Sequence, residues 1–329
     1  MSRRQTGRRR APAPAADHSP AHHRQPGWAA VPPEVSYPRV LSAQPGWQAG
    51  LGIALALSGY VLITSIVTAS VVGLGYLIQR PNLPLADDRA AAASYQNPVG
   101  FLAQSLSIAA LLLMCWALMR WLHRLPLGWL SSVRPRLRWR YFGLCLLMAA
   151  VVLYGIVAVT ALTAGVPIVW RPQPGIVAVL LVVALVTPLQ SAAEEYLFRG
   201  YLLQTMGSFF PSPWVGVIFS SLLFAALHGS QNLPLFVNRL AFGLLAATLV
   251  LATGGLEAGI AAHIVNNVGA YTLAAFTSSI ADLRAVRSLS WADALTDVAG
   301  FAIVAVVAVL LARRLHLPTV TPPTERSQP

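Results

Sequence analysis

Apolar residues along this chain fall into eight long blocks, near 47–78, 99–122, 141–165, 175–206, 213–228, 235–253, 256–276 and 298–315. Short polar or Pro/Gly breaks separate them. A helix rises ~1.5 Å per residue and a hydrocarbon core is ~30 Å thick, so each block spans, or nearly spans, a bilayer as a helix. The pattern predicts an all-α fold, a polytopic transmembrane helix bundle of about eight helices. No internal repeat is evident, which speaks against a transporter built from matched halves.

Composition agrees with the pattern. The 329 residues are 56% hydrophobic and only 10% charged, against about 25% charged in a soluble domain. All 23 basic residues are arginine, and the formal net charge is +12. Cys115 and Cys145 both lie inside apolar blocks and read as small buried residues, not a disulfide.

The blocks suggest a domain plan. Residues 1–44 are rich in Arg, Pro, Ala and His and read as a disordered basic tail, too polar to open with a cleavable signal peptide. His18, His22 and His23 in that tail are weak candidates for a metal. Residues 45–174 hold the first three helices, 175–277 a core that carries the polar chemistry, 278–317 a loop and the last helix, and 318–329 a second tail. Arg120, Arg124, Arg134, Arg136, Arg138 and Arg140 crowd the loop after the second block, while the segments 87–89 and 282–297 are neutral or acidic. Arginine bias therefore places that loop and both termini in the cytoplasm. The expected location is a cell membrane, the bacterial cytoplasmic one, with no nucleic-acid partner.

Seven ionisable residues interrupt the later blocks: Glu194, Glu195, Arg199, His228, Arg239, Glu257 and His263. The first four blocks hold essentially none up to Gln190. A charge at the bilayer centre costs roughly 2.5–3.5 kcal/mol on insertion scales, so such residues face a bundle interior or a wet cavity. Glu195 and Arg199 stand four apart, on one helix face, in the favoured order for an ion pair. Glu194 is rotated away by about 100° and reads as an unpaired carboxylate suited to a general base. Phe224 and His228 share a face, as do His263 and Asn267, while Asn266 points elsewhere as a packing or capping amide. Arg239 reads as snorkelling to the surface and Glu257 as interfacial.

One carboxylate, two imidazoles and an amide can hold and deprotonate a water and donate to an oxyanion, which is a kit for amide hydrolysis. The same Glu194, His228 and His263 could instead ligate zinc with an open fourth position. A proton-coupled membrane transporter, or a non-catalytic immunity or scaffold protein, are the competing uses of these groups.

The series Glu194-Glu195-x-x-x-Arg199, Phe224-x-x-x-His228 and His263-x-x-x-Asn267 resembles the three motifs of the CPBP family of intramembrane proteases. These are the CAAX proteases and bacteriocin-processing enzymes, also called Abi, and they include Rce1-type prenyl endopeptidases. The resemblance covers about 175–276. It implies a glutamate-dependent intramembrane peptidase acting on a membrane-associated peptide or protein. In that scheme Glu194 activates water with His228, His263 and Asn267 form the oxyanion site, and Glu195 and Arg199 are the supporting pair. The family has been described both as metalloproteases and as metal-independent glutamic proteases, and the expectation here is that no metal is required, with zinc possible. The four catalytic candidates are expected to meet in one cavity, which needs an offset helix for His263.

Overall fold

Every apolar block forms a helix. The computed structural model describes residues 28–165 and 169–323, which are predominantly helical and contain no strand. The helices are α1 (Gly46–Gln79), α2 (Leu85–Ala93), α3 (Pro98–Leu122), α4 (Trp139–Ala164), α5 (Ile176–Phe209), α6 (Pro213–Ala226), α7 (Leu233–Thr253), α8 (Glu257–Thr277), α9 (Ile280–Ala285) and α10 (Trp291–Arg314). Six of them, α1, α3, α4, α5, α7 and α10, are long and apolar enough to cross a membrane. The two remaining blocks fall short for different reasons. Helix α6 has 14 residues, about 21 Å at 1.5 Å per residue. Helix α8 is long enough, with 21 residues, but carries Glu257, His263, Asn266 and Asn267.

Local chemistry sets the helix ends. Asn97, Asn232 and Ser290 cap α3, α7 and α10, each accepting from a backbone N–H three residues on. Gly254 ends α7 with φ +69°, a left-handed turn that suits glycine. Pro188 sits in the first turn of the second segment of α5, where the missing N–H interrupts the ladder near Val186.

Helices α1 and α4 turn exposed aliphatics outward, among them Leu62, Ile66, Leu147, Val151 and Val157. An apolar outer face on a long helix is what lipid contact requires. Helix α5 lies inside, packed against α3, α6 and α8, and Phe198, Arg199, Tyr201, Leu202 and Leu203 along it are buried.

The expected tail ends sooner than residue 44. Residues 1–27, with His18, His22 and His23, lie outside the described part, but residues 28–44 are packed. Tyr37, Val40 and Leu41 are fully buried, and the Tyr37 hydroxyl donates to the Leu130 carbonyl. Val35 and Thr321 exchange hydrogen bonds of 3.0 and 2.9 Å. The sequence missed this because a Pro-rich stretch with three anchoring aromatics and aliphatics has no helical or strand period to read.

The same end of the bundle gathers the arginine-rich loop and the α7–α8 turn. Val133 N–H donates to Gly254 O, and Leu256 N–H to Ser131 O, both at 2.9 Å. Glu257, at this same end, is enclosed by the protein. It is fully buried and bidentate with Arg138, with Nε–Oε1 2.7 Å and Nη2–Oε2 2.6 Å, and the Arg138 backbone N–H adds a third bond at 2.9 Å. A paired, multiply bonded carboxylate can sit where a lone one could not.

Candidate active site

Glu194 and Glu195 close the regular part of α5, and a wider, π-type stretch runs from Tyr196 to Leu202. Such stretches cluster at functional sites because they re-aim side chains within a helix. Arg199 Nη1 donates to Glu195 Oε1 at 3.1 Å, and both side chains are completely buried. This is the predicted i,i+4 pair. The remaining Arg199 nitrogens, Nε and Nη2, have no hydrogen-bond acceptor. They lie against aromatic faces instead, with the guanidinium carbon 4.2 Å from the Phe224 ring centre and 5.4 Å from that of Phe242. Two glycines leave room for the pair. A Cβ on Gly259 would sit 3.0 Å from Glu195 Oε2, and one on Gly243 would sit 3.2 Å from Arg199 Nη2 and 2.9 Å from Ser221 Cβ.

His263 ties the two glutamates together. Its Nδ1 is 2.9 Å from Glu195 Oε1 and its Nε2 is 3.2 Å from Glu194 Oε2. The reading of Glu194 as an unpaired carboxylate is therefore corrected. It is bonded to His263, and its Oε2 also accepts from Gln190 Nε2 at 2.7 Å. A carboxylate only accepts, so one proton is shared along the Glu194–His263 edge and can reside on either Nε2 or Oε2. With that proton on the ring, two carboxylates, one guanidinium and one imidazolium sum to zero charge, which makes burial of all four tolerable.

His228 approaches from the end of α6. Its Nδ1 bonds the Phe224 carbonyl at 2.7 Å. A carbonyl cannot donate, so the proton is assigned to Nδ1 and a neutral ring keeps a bare lone pair on Nε2. Asn267 Nδ2 reaches Ser191 Oγ at 3.2 Å and Gln190 Oε1 at 3.4 Å, while its Oδ1 accepts from Asn266 Nδ2 at 3.1 Å.

Glu194, His228, His263 and Asn267 all line one cavity of about 410 Å³. The expected convergence holds. Asn266 lines it as well, and so does Arg239, whose Nη1 donates to Gln231 Oε1 at 2.6 Å. Arg239 thus lines the cavity, its guanidinium bonded toward the start of its own helix. Reading by sequence also missed Gln190 and Ser191, although Gln190 stands four residues before Glu194 on the same helix face. Among the described residues, no three of His, Cys, Asp and Glu are placed to hold a metal. A Glu194–His228–His263 zinc site would require His263 to release Glu194, so the arrangement does not fit a preformed three-ligand centre.

The described helices, six of them long and apolar enough to cross a membrane, thus hold a buried Glu–His–Glu–Arg cluster beside a cavity. Residues 173–269 match the family described as type II CAAX prenyl endopeptidase Rce1-like, as the three motifs anticipate. Two curated relatives are similar over spans of comparable length. The uncharacterized protein YyaK of Bacillus subtilis (strain 168) is 33% identical over 96 residues, 27% of this chain and 32% of YyaK. An uncharacterized 24.3 kDa protein of Escherichia coli is 32% identical over 93 residues, 28% of this chain and 42% of that protein. The alignments thus cover less than half of either relative's length. No solved structure is significantly similar to the chain.

Proposed function

We propose that the protein is an intramembrane endopeptidase that hydrolyses a peptide bond of a membrane-associated substrate with a water activated by Glu194. The observation that carries this reading is the meeting of Glu194, His228, His263 and Asn267 in one cavity, inside the segment that matches the protease family. Water held between Glu194 and the bare Nε2 of His228 gives a proton to the carboxylate while its oxygen bonds the scissile carbonyl carbon. The oxyanion that forms accepts from Asn267 Nδ2, whose present acceptors at 3.2 and 3.4 Å are long enough to yield. Collapse breaks the C–N bond, and the proton passes from Glu194 to the leaving nitrogen. His263 is a positioning residue in this scheme. Both its nitrogens face carboxylates, so it holds Glu194 and has no N–H left for the oxyanion. The arginine-rich end of the bundle lies in the cytoplasm.

Membranes from cells with and without the protein are expected to differ in a small set of new protein N- or C-termini, read by terminal proteomics. Identical termini in both would remove the peptidase reading. Purified protein is expected to cleave such a substrate after thorough chelation, because the cavity offers an acid–base pair and no preformed three-ligand centre. The check is activity beside metal analysis of one preparation, since a buried ion can resist chelators. Zinc present at one per chain and lost in step with activity would overturn the metal-free mechanism.

A further inference from the structure

The cavity opens away from the arginine-rich end. Its deep wall is Glu194, Phe198 and His263, and its mouth is built from Tyr95 in the α2–α3 connection, Leu283, Arg284, Val286 and Arg287 around α9, and Asp297 early in α10. These segments belong to the end opposite the loop that carries Arg120 to Arg140, since α3, α7 and α10 each run from the mouth end to the arginine-rich end.

Three arginines line this mouth: Arg239, Arg284 and Arg287. Among the described residues none of them has a carboxylate within ion-pair distance. Arg239 spends its donors on Gln231 Oε1 and, at 3.5 Å, the His228 carbonyl. Arg287 donates to the Arg284 and Val286 carbonyls of its own loop. Arg284 stacks on Tyr95, 5.3 Å from the ring centre, with its Nη2 3.5 Å from the hydroxyl. Among the described residues Asp297 is the one acid lining that rim, and Asn238 Nδ2 already bonds it at 3.2 Å. Four further acids at this end lie outside the cavity lining: Asp87, Asp88 and Asp293, and on α9 itself Asp282, whose carboxylate accepts from Ser279 Oγ at 2.7 Å. Three guanidinium groups converging on one concave, partly enclosed surface create a positive potential that favours carboxylates, with donors to spare for bidentate contacts.

We infer that the cavity mouth, through Arg239, Arg284 and Arg287, docks an acidic segment of the substrate presented on the non-cytoplasmic face of the membrane. The inference rests on the peptidase reading for the word substrate and on the arginine bias for the face, while the anion site itself rests on the rim alone. The docked acid sits at the mouth, so the scissile bond lies further along the same chain, toward Glu194.

Binding tests the site without turnover. Full-length Glu194→Gln protein, purified in detergent, is titrated with a fluorescein-labelled alanine–leucine peptide carrying two adjacent aspartates, and with its twin carrying asparagines. The aspartate peptide is expected to bind about tenfold more tightly, equivalent to ~1.4 kcal/mol, and the difference is expected to shrink with salt. In Glu194→Gln combined with Arg284→Gln and Arg287→Gln, the preference is expected to vanish. Equal binding of the two peptides, or binding of neither, overturns the anion site. For the face, Val286→Cys is treated in intact cells with a membrane-impermeant maleimide, with Cys115 and Cys145 buried and silent. Labelling before permeabilisation supports the assignment, and labelling only afterwards reverses it. An acidic-peptide preference in a protein whose wild type cleaves nothing would remove the peptidase reading and leave the docking site standing.

Discussion

Glu194→Gln protein is expected to fold, to melt close to the wild type and to lose nearly all turnover. The amide keeps the shape of the side chain, and its oxygen can still accept from Gln190 Nε2, now at 2.7 Å from the carboxylate. What it cannot do is take a proton from water and return it to the leaving nitrogen. Loss of a general base typically costs 10²- to 10⁴-fold, and here the same group serves both proton transfers, so the upper part of that range, about 10⁴-fold, is expected. The surrounding charge also changes gently. With a neutral residue at 194, His263 can release its extra proton and still donate from Nδ1 to Glu195 at 2.9 Å. Cleavage rate and melting temperature of purified protein, measured side by side, check this. A variant that keeps more than about a tenth of the wild-type rate would show that another group activates the water.

Much of this organisation is legible in the chain because lipid makes hydrophobic runs unambiguous. A span must satisfy its own backbone bonds, so long apolar blocks become helices and nothing else. The Glu195–Arg199 pair was readable for a similar reason, since two charges four apart on an apolar helix have few other ways to be neutralised. The role of His263 was not readable. Its bridging of Glu194 and Glu195 depends on how α8 sits against α5, and helix periodicity says which face a residue occupies but not which neighbour that face meets. Glu257 and Arg138 were missed on the same ground, being 119 positions apart yet doubly bonded. The rim arginines are the extreme case. Arg284 and Arg287 look like ordinary loop charges in sequence, and only the closure of α9 over the bundle sets them beside Arg239.

Glu195→Gln is expected to fail in a different way, by loss of stability. Glu195 is completely buried, and its Oε1 accepts from both Arg199 Nη1 at 3.1 Å and His263 Nδ1 at 2.9 Å. Removing its charge leaves a fully buried guanidinium with aromatic faces around it and no counter-charge in contact, and breaking a buried pair from one side costs about 3–5 kcal/mol. The rings of Phe224 and Phe242 offset part of that, since a desolvated cation over an aromatic face gains ~2 kcal/mol, but that gain is already present in the wild type and does not grow. Lower yield and a lower melting temperature are therefore expected, together with reduced turnover because a neutral amide holds the His263 ring less firmly than the carboxylate. A second substitution separates charge from shape. In Glu195→Gln combined with Arg199→Met, both charges are gone and an unbranched apolar chain fills the space between the two phenylalanines. That double variant is expected to melt higher than Glu195→Gln alone while remaining poorly active, since Glu194 and His263 are no longer held by the cluster. If Glu195→Gln and Glu194→Gln gave the same melting temperature and the same rate, the two glutamates would not divide the labour between structure and proton transfer, and the cluster would have to be regarded as one catalytic unit.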